Sequence, residues 1–418
     1  MDRRYLFFVP TAAAVGLLST TARADEPVKS LTLDQAIQLA LAHNPDSRSA
    51  DEDVTSAGGA LVQSRLLPNP SLFVSSLGRN LSPPDGPIPT QIGLTWTIPI
   101  GGKRGAGIEA AQATVDAARA TRVAARRQVA LTVEKAFVAV LLDQAQLEFA
   151  AQDQDGIRQS LELNELRYRD GKIAFGDVLK LQIQVRAVED TVRQDELQLA
   201  NDRAELARLT GDGSLAADYV VAGTLIAPSA PLAEPLVDEV LAKALKDRTD
   251  YQALLAQERS LSALARQARR QPIPDLGVLI DYDNAPGEPS QYDITLSVAI
   301  PIFDQNQGNV TQAEAAFRKA RIAAEGLRAQ IRQDVQQAVN GWKTSHARLA
   351  VYDDHLLSAA RQSLDITRHA YEQGRGTLLD YLDAESSYRQ IASAYRAVLA
   401  NAMTAAATLR FVAGEDLP

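Results

Sequence analysis

The chain has 418 residues, with 43 Lys and Arg against 52 Asp and Glu, and its formal net charge of −9 argues against nucleic acid as a partner. It has no cysteine, which excludes disulfides, thiolate metal sites, a cysteine nucleophile and a lipidated N-terminal cysteine. Aromatic residues make up only 5 % while alanine is plentiful, a composition suited to long helices packed at close range.

The first element is a leader. Arg3 and Arg4 precede an apolar run from Leu6 to Leu18, and Ala22-Arg23-Ala24 supplies a cleavage pattern, so residues 1–24 read as a secretory signal peptide with Asp25 as the mature start. Its removal leaves 40 basic against 51 acidic residues, a net charge of −11 that suits the handling of cations. No later stretch is apolar for long enough to be a membrane helix, so an exported chain of this kind is either soluble or part of a β-barrel.

The mature chain reads as two tandem copies, 25–211 and 236–418, joined by a linker or equatorial segment at 212–235. The offset between them is near 203 residues. Leu33-Asp34-Gln35-Ala36 meets Val237-Asp238-Glu239-Val240, and Pro68-Asn69-Pro70 meets Pro272-Ile273-Pro274. Leu94-Thr95-Trp96-Thr97-Ile98-Pro99-Ile100 meets Leu296-Ser297-Val298-Ala299-Ile300-Pro301-Ile302.

Each copy opens with a helix of about 30 residues, closed by the Pro-x-Pro pair. Two strands follow, at 71–78 and 91–100 in the first copy and 276–283 and 291–302 in the second. The later strand of each pair alternates. Ile92, Leu94, Trp96 and Ile98 share one face, as do Ile294, Leu296, Val298 and Ile300, and about ten such residues match a tilted strand crossing a bilayer. Residues 79–90 and 284–290 read as the outer loops of these hairpins.

A proline-free run from Gly105 to Arg169 would extend about 100 Å as a helix. Its heptad seam takes Val133, Phe137, Val140, Leu147 and Ala151, with polar Gln144 as an interruption. A return helix carries Val178, Leu181, Val185, Val188, Val192, Leu199 and Leu206, and the second copy repeats the plan over 309–410. Four strands cannot close a barrel, and an open edge in lipid leaves backbone groups unpaired, so several chains must share one. Three copies give a twelve-stranded barrel continued by a helical coiled-coil barrel, a mixed α and β, internally duplicated fold.

The helical hairpins end in related turns. Tyr168-Arg169-Asp170-Gly171 with Asp177-Val178-Leu179 matches Tyr371-Glu372-Gln373-Gly374 with Asp380-Tyr381-Leu382-Asp383. On these motifs, the duplication and the proline-bounded hairpins, the chain resembles the TolC family of outer-membrane efflux factors over its mature length. The run Ile300-Pro301-Ile302-Phe303-Asp304-Gln305-Asn306-Gln307-Gly308-Asn309 is similar to the CzcC-like outer-membrane subunits of heavy-metal resistance systems.

The resemblance implies a homotrimeric duct through outer-membrane lipid and periplasm, without covalent chemistry or cofactor. It further implies docking to a periplasmic adaptor and an inner-membrane resistance-nodulation-division transporter, with divalent heavy-metal cations as cargo. Gly171, Ile173, Gly374 and Thr377 would contact the adaptor at the helical tips. Tyr371, Asp177 and Arg375 would hold the tip shut, although the family's usual arginine position is here Gly376. Asp380 and Asp383, three apart on one helical face, would make stacked carboxylate rings that select cations and bind protons more readily than usual.

Other readings stay open at this level. Asp380 and Asp383 also suit a plain solvated face, and the turns suit a helical hairpin without a partner. An organic-solute duct and a soluble periplasmic coiled-coil adaptor are the alternative functions. His43, His346, His355 and His369 lack the i, i+4 spacing of a helical metal pair, so no metal site is expected. Gly101-Gly102-Lys103-Arg104-Gly105 lacks the phosphate-loop spacing, and no nucleophile pattern stands out.

Overall fold

The computed structural model describes residues 29–76, 90–211, 219–228, 235–284 and 289–415. The leader and most of both outer loops therefore lie outside the described residues. Within them the chain builds one element series twice: two short helices, a β-hairpin, a very long helix and a return helix.

The opening helix of each copy is broken in two, contrary to the single helix expected. In the first copy α1 (Leu33–His43) ends at Asn44, and α2 (Pro45–Arg65) begins with proline at its first position. Asn44 is extended at φ −60° and ψ 132°, as a residue before proline prefers, and its side chain caps α2 through Asp46 N–H. The second copy breaks at Arg248 between α5 (Val237–Asp247) and α6 (Thr249–Arg270). Buried Arg248 there pairs with Asp250 and Asp334 at 2.7 and 2.8 Å.

The hairpins join into one sheet of order β2-β3-β5-β6, comprising β2 (Ser71–Ser76), β3 (Thr90–Ile98), β5 (Leu276–Asn284) and β6 (Gln291–Val298). Strands β3 and β6 stop short of Ile100 and Ile302, because Pro99 and Pro301 have no N–H to continue a ladder. Antiparallel register aligns Leu94 with Leu72 and Ile280, and Ile280 with Ile294. One face is therefore apolar across all four strands, and it faces outward: Leu72, Ile294 and Leu296 are 68, 72 and 65 % exposed. The opposite face carries Gln91, Thr95, Thr97, Asp281, Asp283, Asp293, Thr295 and Ser297. The outer strands β2 and β6 each have a partner on one side only. Among the described residues no helix is long and apolar enough to cross a membrane.

Helix α3 (Lys103–Arg169) runs 67 residues without interruption. Nearer the sheet it packs on α2 and α6, through Asp51–Arg122, Glu109–Arg266 and Thr114–Ser260. Farther away it packs on α4 (Phe175–Thr210) and α9 (Leu378–Ala413). The expected seam holds for Val133, Phe137 and Val140, but Ala151 is exposed. From Asp143 onward the buried positions become Asp143, Ala150, Ile157 and Asn164, still seven apart but on another face, because α3 there packs on α9 as well as α4.

Two strands close the waist of the first copy. Within the expected linker, β4 (Tyr219–Val221) pairs in parallel with β1 (Lys29–Leu31). Gln144 presents its side-chain amide 3.2 Å from both the N–H and the C=O of Val221, so the polar break in the seam extends this ladder. Around it Ile37, Val133, Phe137, Val140, Leu206 and Tyr219 form the main core.

The long helix of the second copy departs from that of the first: it is α7 (Gln307–Val351), a π-turn at Tyr352–Leu356, and α8 (Leu357–Glu372).

Candidate gate at the helical tips

Two turns end the helical hairpins, residues 170–174 and 373–377, and their hydrogen bonds repeat. Lys172 N–H donates to Arg167 O and Arg375 N–H to Ala370 O, both at 2.8 Å, while Gly171 and Gly374 donate to Tyr168 O and Tyr371 O. Gly171 and Gly374 have φ of +73° and +70°, the left-handed closure that ends a helix and that a side chain resists. Both glycines face open space, and Ile173 is half-buried beside the exposed Phe175.

Behind the turns the copies diverge. Tyr168 is exposed and leans on Phe175, ring centres 5.4 Å apart. Its counterpart Tyr371 is buried and stacks on Tyr381 at 5.7 Å. The Tyr371 hydroxyl donates to Asn164 Oδ1, and the Tyr381 hydroxyl lies 3.0 Å from Ser160 Oγ. Asn164 and Ser160 are one turn apart on α3, so two tyrosines pin the α8–α9 hairpin to it. Arg167 lies over the Tyr371 ring at 5.4 Å and donates to Glu372 O at 2.7 Å. Burial raises the Tyr371 phenol above its ordinary value, with the Asp177 charge adding and Arg167 opposing, so it stays a donor.

The three residues expected at the gate are therefore not brought together. Asp177 is near enough to be felt by Tyr371, yet its carboxylate pairs with Lys180 at 3.3 Å. Arg375 is exposed and makes no ion pair with any described residue. A side chain at Gly376 would sit tightly against Tyr371 N at 3.2 Å and Ala370 Cβ at 3.3 Å, so an arginine there requires the turn to give by a few tenths of an ångström. Arg167, on the other hairpin, supplies the cation instead. No sequence signal pointed to it, since the contact crosses 205 positions.

Thr377 caps α9. Its hydroxyl accepts from Asp380 N–H at 3.1 Å and donates to Asp380 Oδ2 at 2.6 Å, while its own N–H donates to the same carboxylate. These bonds, the Thr377 side chain first, hold the Asp380 carboxyl below its usual value. The raised proton affinity expected from the sequence belongs to carboxylates gathered from three copies, whereas this lowering is set within one chain. Asp383 is exposed one turn further on, and both carboxylates line one groove of about 550 Å³ with Ala359, Ser363, Thr367 and Ser387.

A second cluster was not anticipated. Arg389 of α9 lies 3.4 Å from Asp153 on α3 and 3.1 Å from Glu385, and the Gln184 amide on α4 lies within 2.7 Å of it. Burial pushes the Glu385 carboxyl up to about 7, opposed by Arg389 and assisted by Asp153. The i, i+4 pairing of Glu385 with Arg389 was readable in the sequence, but its partners on α3 and α4 were not. Among the described residues no group of His, Asp or Glu could hold a metal ion.

The family model described as outer membrane efflux protein matches residues 36–212 and again 240–415. The cobalt-zinc-cadmium resistance protein CzcC of Cupriavidus metallidurans is 26 % identical over 97 % of this chain and 99 % of its own. The outer membrane protein VceC of Vibrio cholerae superposes with a TM-score of 0.74 at 23 % identity, covering 92 % of this chain and 96 % of its own. The outer membrane channel CmeC of Campylobacter jejuni does so at 0.78 and 16 % identity, covering 98 % of this chain and 93 % of its own. The doubled match falls on the two structural copies, and the superpositions span 92 and 98 % of this chain. The chain thus belongs to the outer membrane efflux protein family.

Proposed function

We propose that three copies of this chain form the exit duct of a tripartite efflux pump, exporting divalent heavy-metal cations across periplasm and outer membrane. One observation carries the reading: a four-stranded sheet, apolar on its outward face, ends in two unpaired edges. In lipid those edges must find partners, and β6 of one copy against β2 of the next is the arrangement that closes a cylinder. The apolar face then meets lipid, and the acidic and hydroxyl-bearing face lines the lumen. The duct performs no covalent step and needs no cofactor.

Beyond the sheet, the two tip turns with Gly171, Ile173, Gly374 and Thr377 present the surface for a periplasmic adaptor, which joins the duct to a resistance-nodulation-division transporter. Asp380 and Asp383 share a groove and would ring the mouth, favouring cations. Metal as cargo is supported by the likeness to the cobalt-zinc-cadmium resistance protein along nearly the whole of both chains.

Two experiments test this. The chain has no cysteine, so single cysteines placed along β2 and β6 report only the engineered contact. Oxidation should yield linked dimers and trimers, and purely monomeric protein would refute the shared cylinder. Deleting the gene should sensitise cells to zinc, cobalt, cadmium or nickel. Unchanged metal tolerance beside lost drug tolerance would instead assign the duct to organic solutes.

A further inference from the structure

Next to the sheet, the helices repeat the order of the strands. Helix α2 packs on α3, α3 on α6 and α6 on α7, as β2, β3, β5 and β6 lie side by side. Helices α2 and α7 therefore stand at the two edges, in line with the open strands β2 and β6. In the duplicated plan α2 and α3 correspond to α6 and α7. The seam of α3 on α6, where the first repeat meets the second, is thus a template for α7 on the α2 of an adjacent chain.

The template has three clear rungs. Gly107 faces the Gln267 amide, and the Thr114 hydroxyl lies 2.9 Å from Ser260 Oγ. One turn further along both helices, Ala117 and Ala256 are buried. Asn44 and Pro68 answer to Arg248 and Pro272, so α6 follows α2 by 204 positions. Buried Val133 and Val140 answer to buried Val335 and Trp342, so α7 follows α3 by 202. All four helices are unbroken, so each offset holds along its whole helix.

Carried over by these offsets, the first rung becomes Asn309 against Gln63 of the adjacent copy. The second becomes Ala316 against Ser56, and the third Lys319 against Glu52. The template positions are mostly buried, whereas Asn309, Lys319, Glu52, Ser56 and Gln63 are all exposed. Neither Lys319 nor Glu52 pairs with another described residue. Two facing alanines inside the chain are thus replaced, at its edges, by a lysine and a glutamate. Exposed Arg318 and Arg321 flank Lys319, and exposed Asp53 flanks Glu52, so the edges carry opposite sign at this level.

We propose that Lys319 and Glu52 form a charge lock between adjacent copies, which sets the register of α7 on α2 and admits only neighbours that carry the matching pair. The inference rests on the duct reading given above, which supplies the ring of three. Inside the chain connectivity brings α3 to α6, and small residues suffice. Between chains only the side chains choose the neighbour, and a like charge at the junction rejects a wrong one. A head-to-tail ring repeats the lock at each junction, so one mismatched copy breaks it on both sides.

The test exchanges the charges. Lys319→Glu or Glu52→Lys alone should lower the yield of detergent-extracted trimer about tenfold, and the doubly exchanged chain should restore it. Wild type and the double variant, co-expressed under two tags, should then sort into separate trimers. Random assembly would make about three-quarters of the trimers mixed, and that share overturns the lock. A second measurement does not depend on charge. Oxidation of a Lys319→Cys, Glu52→Cys chain should link copies about tenfold faster than Lys319→Cys with Gly59→Cys, two turns away. Equal linking overturns the register. A wild-type chain that forms no trimer overturns the duct reading, whereas trimers that mix freely overturn the lock alone.

Discussion

Tyr168 and Tyr371 descend from the same position of the repeated unit, yet one is exposed and the other is buried against Asn164. Asn164 is only 1 % exposed, so removing its hydroxyl partner strands a buried amide, at a cost of about 1–3 kcal/mol. Tyr371→Phe should therefore loosen the tip and raise the open fraction of reconstituted trimers, while Tyr168→Phe should not. Equal conductance in the two variants would remove Tyr371 from the gate. The carboxylates at the mouth differ in the same way. Asp380 is committed to the capping box of α9, so Asp380→Asn should lower both cation preference and stability. Asp383→Asn should lower cation preference alone. Ion selectivity from reversal potentials, set against thermal melting, separates the two effects.

Glu385 carries a pH dependence whose sign follows from burial. Its carboxyl titrates near 7 in the folded chain against an ordinary 4.5, so the folded state binds the extra proton between those values. Its contribution to stability is complete below about 4.5 and is lost as pH rises through 7. Asp143, pushed up to about 7 by burial and by neighbouring Asp202, acts in the same direction. Melting temperature should rise by a few degrees between pH 7.5 and 5.5. Glu385→Gln should flatten that slope, and an unaltered slope would show that the proton is bound elsewhere.

At the scale of elements, the strands were the most legible part because their side-chain period is two and their faces are largely segregated, with Phe73 and Leu279 as apolar exceptions on the polar face. Ile294 on the outward face and Thr295 behind it predict opposite responses. Ile294→Lys should impair membrane insertion by about 2–4 kcal/mol, whereas Thr295→Lys should be tolerated. Heat-modifiable trimer on gels would report both, and equal tolerance would mean that the apolar face does not meet lipid. Helix lengths were legible too, from proline-free runs and the paired turn glycines. The break at Asn44 is marked by Pro45, whereas the one at Arg248 has no proline beside it and continues the apolar pattern almost in phase. The shift of the α3 seam was also hidden, since it depends on which neighbours α3 meets beyond Gln144. Arg167 and Arg389 reach across helices distant in sequence, and a single chain read in isolation does not record such pairings.

For the whole molecule, the duplicated plan makes the differences between copies more informative than the likenesses. The first copy builds a straight pair of helices with an exposed aromatic at its turn. The second builds an interrupted pair whose turn is latched by Tyr371, Tyr381 and Arg167 and which carries the acidic groove. The two hairpins of one repeated plan thus carry different side-chain equipment behind equivalent turns.

The waist of the first copy bears on how the molecule is made. Strand β1 pairs with β4 and Asn44 donates to Leu209 O, so the N-terminal half closes on its own residues. The sheet cannot: β3 has to wait for β5, some 180 positions later in the chain. As the polypeptide emerges from the export machinery, its water-compatible helical half can be complete before the β2–β3 hairpin meets the second one. Delivery to the bilayer is thereby ordered in time, with the adhesive surface assembled last.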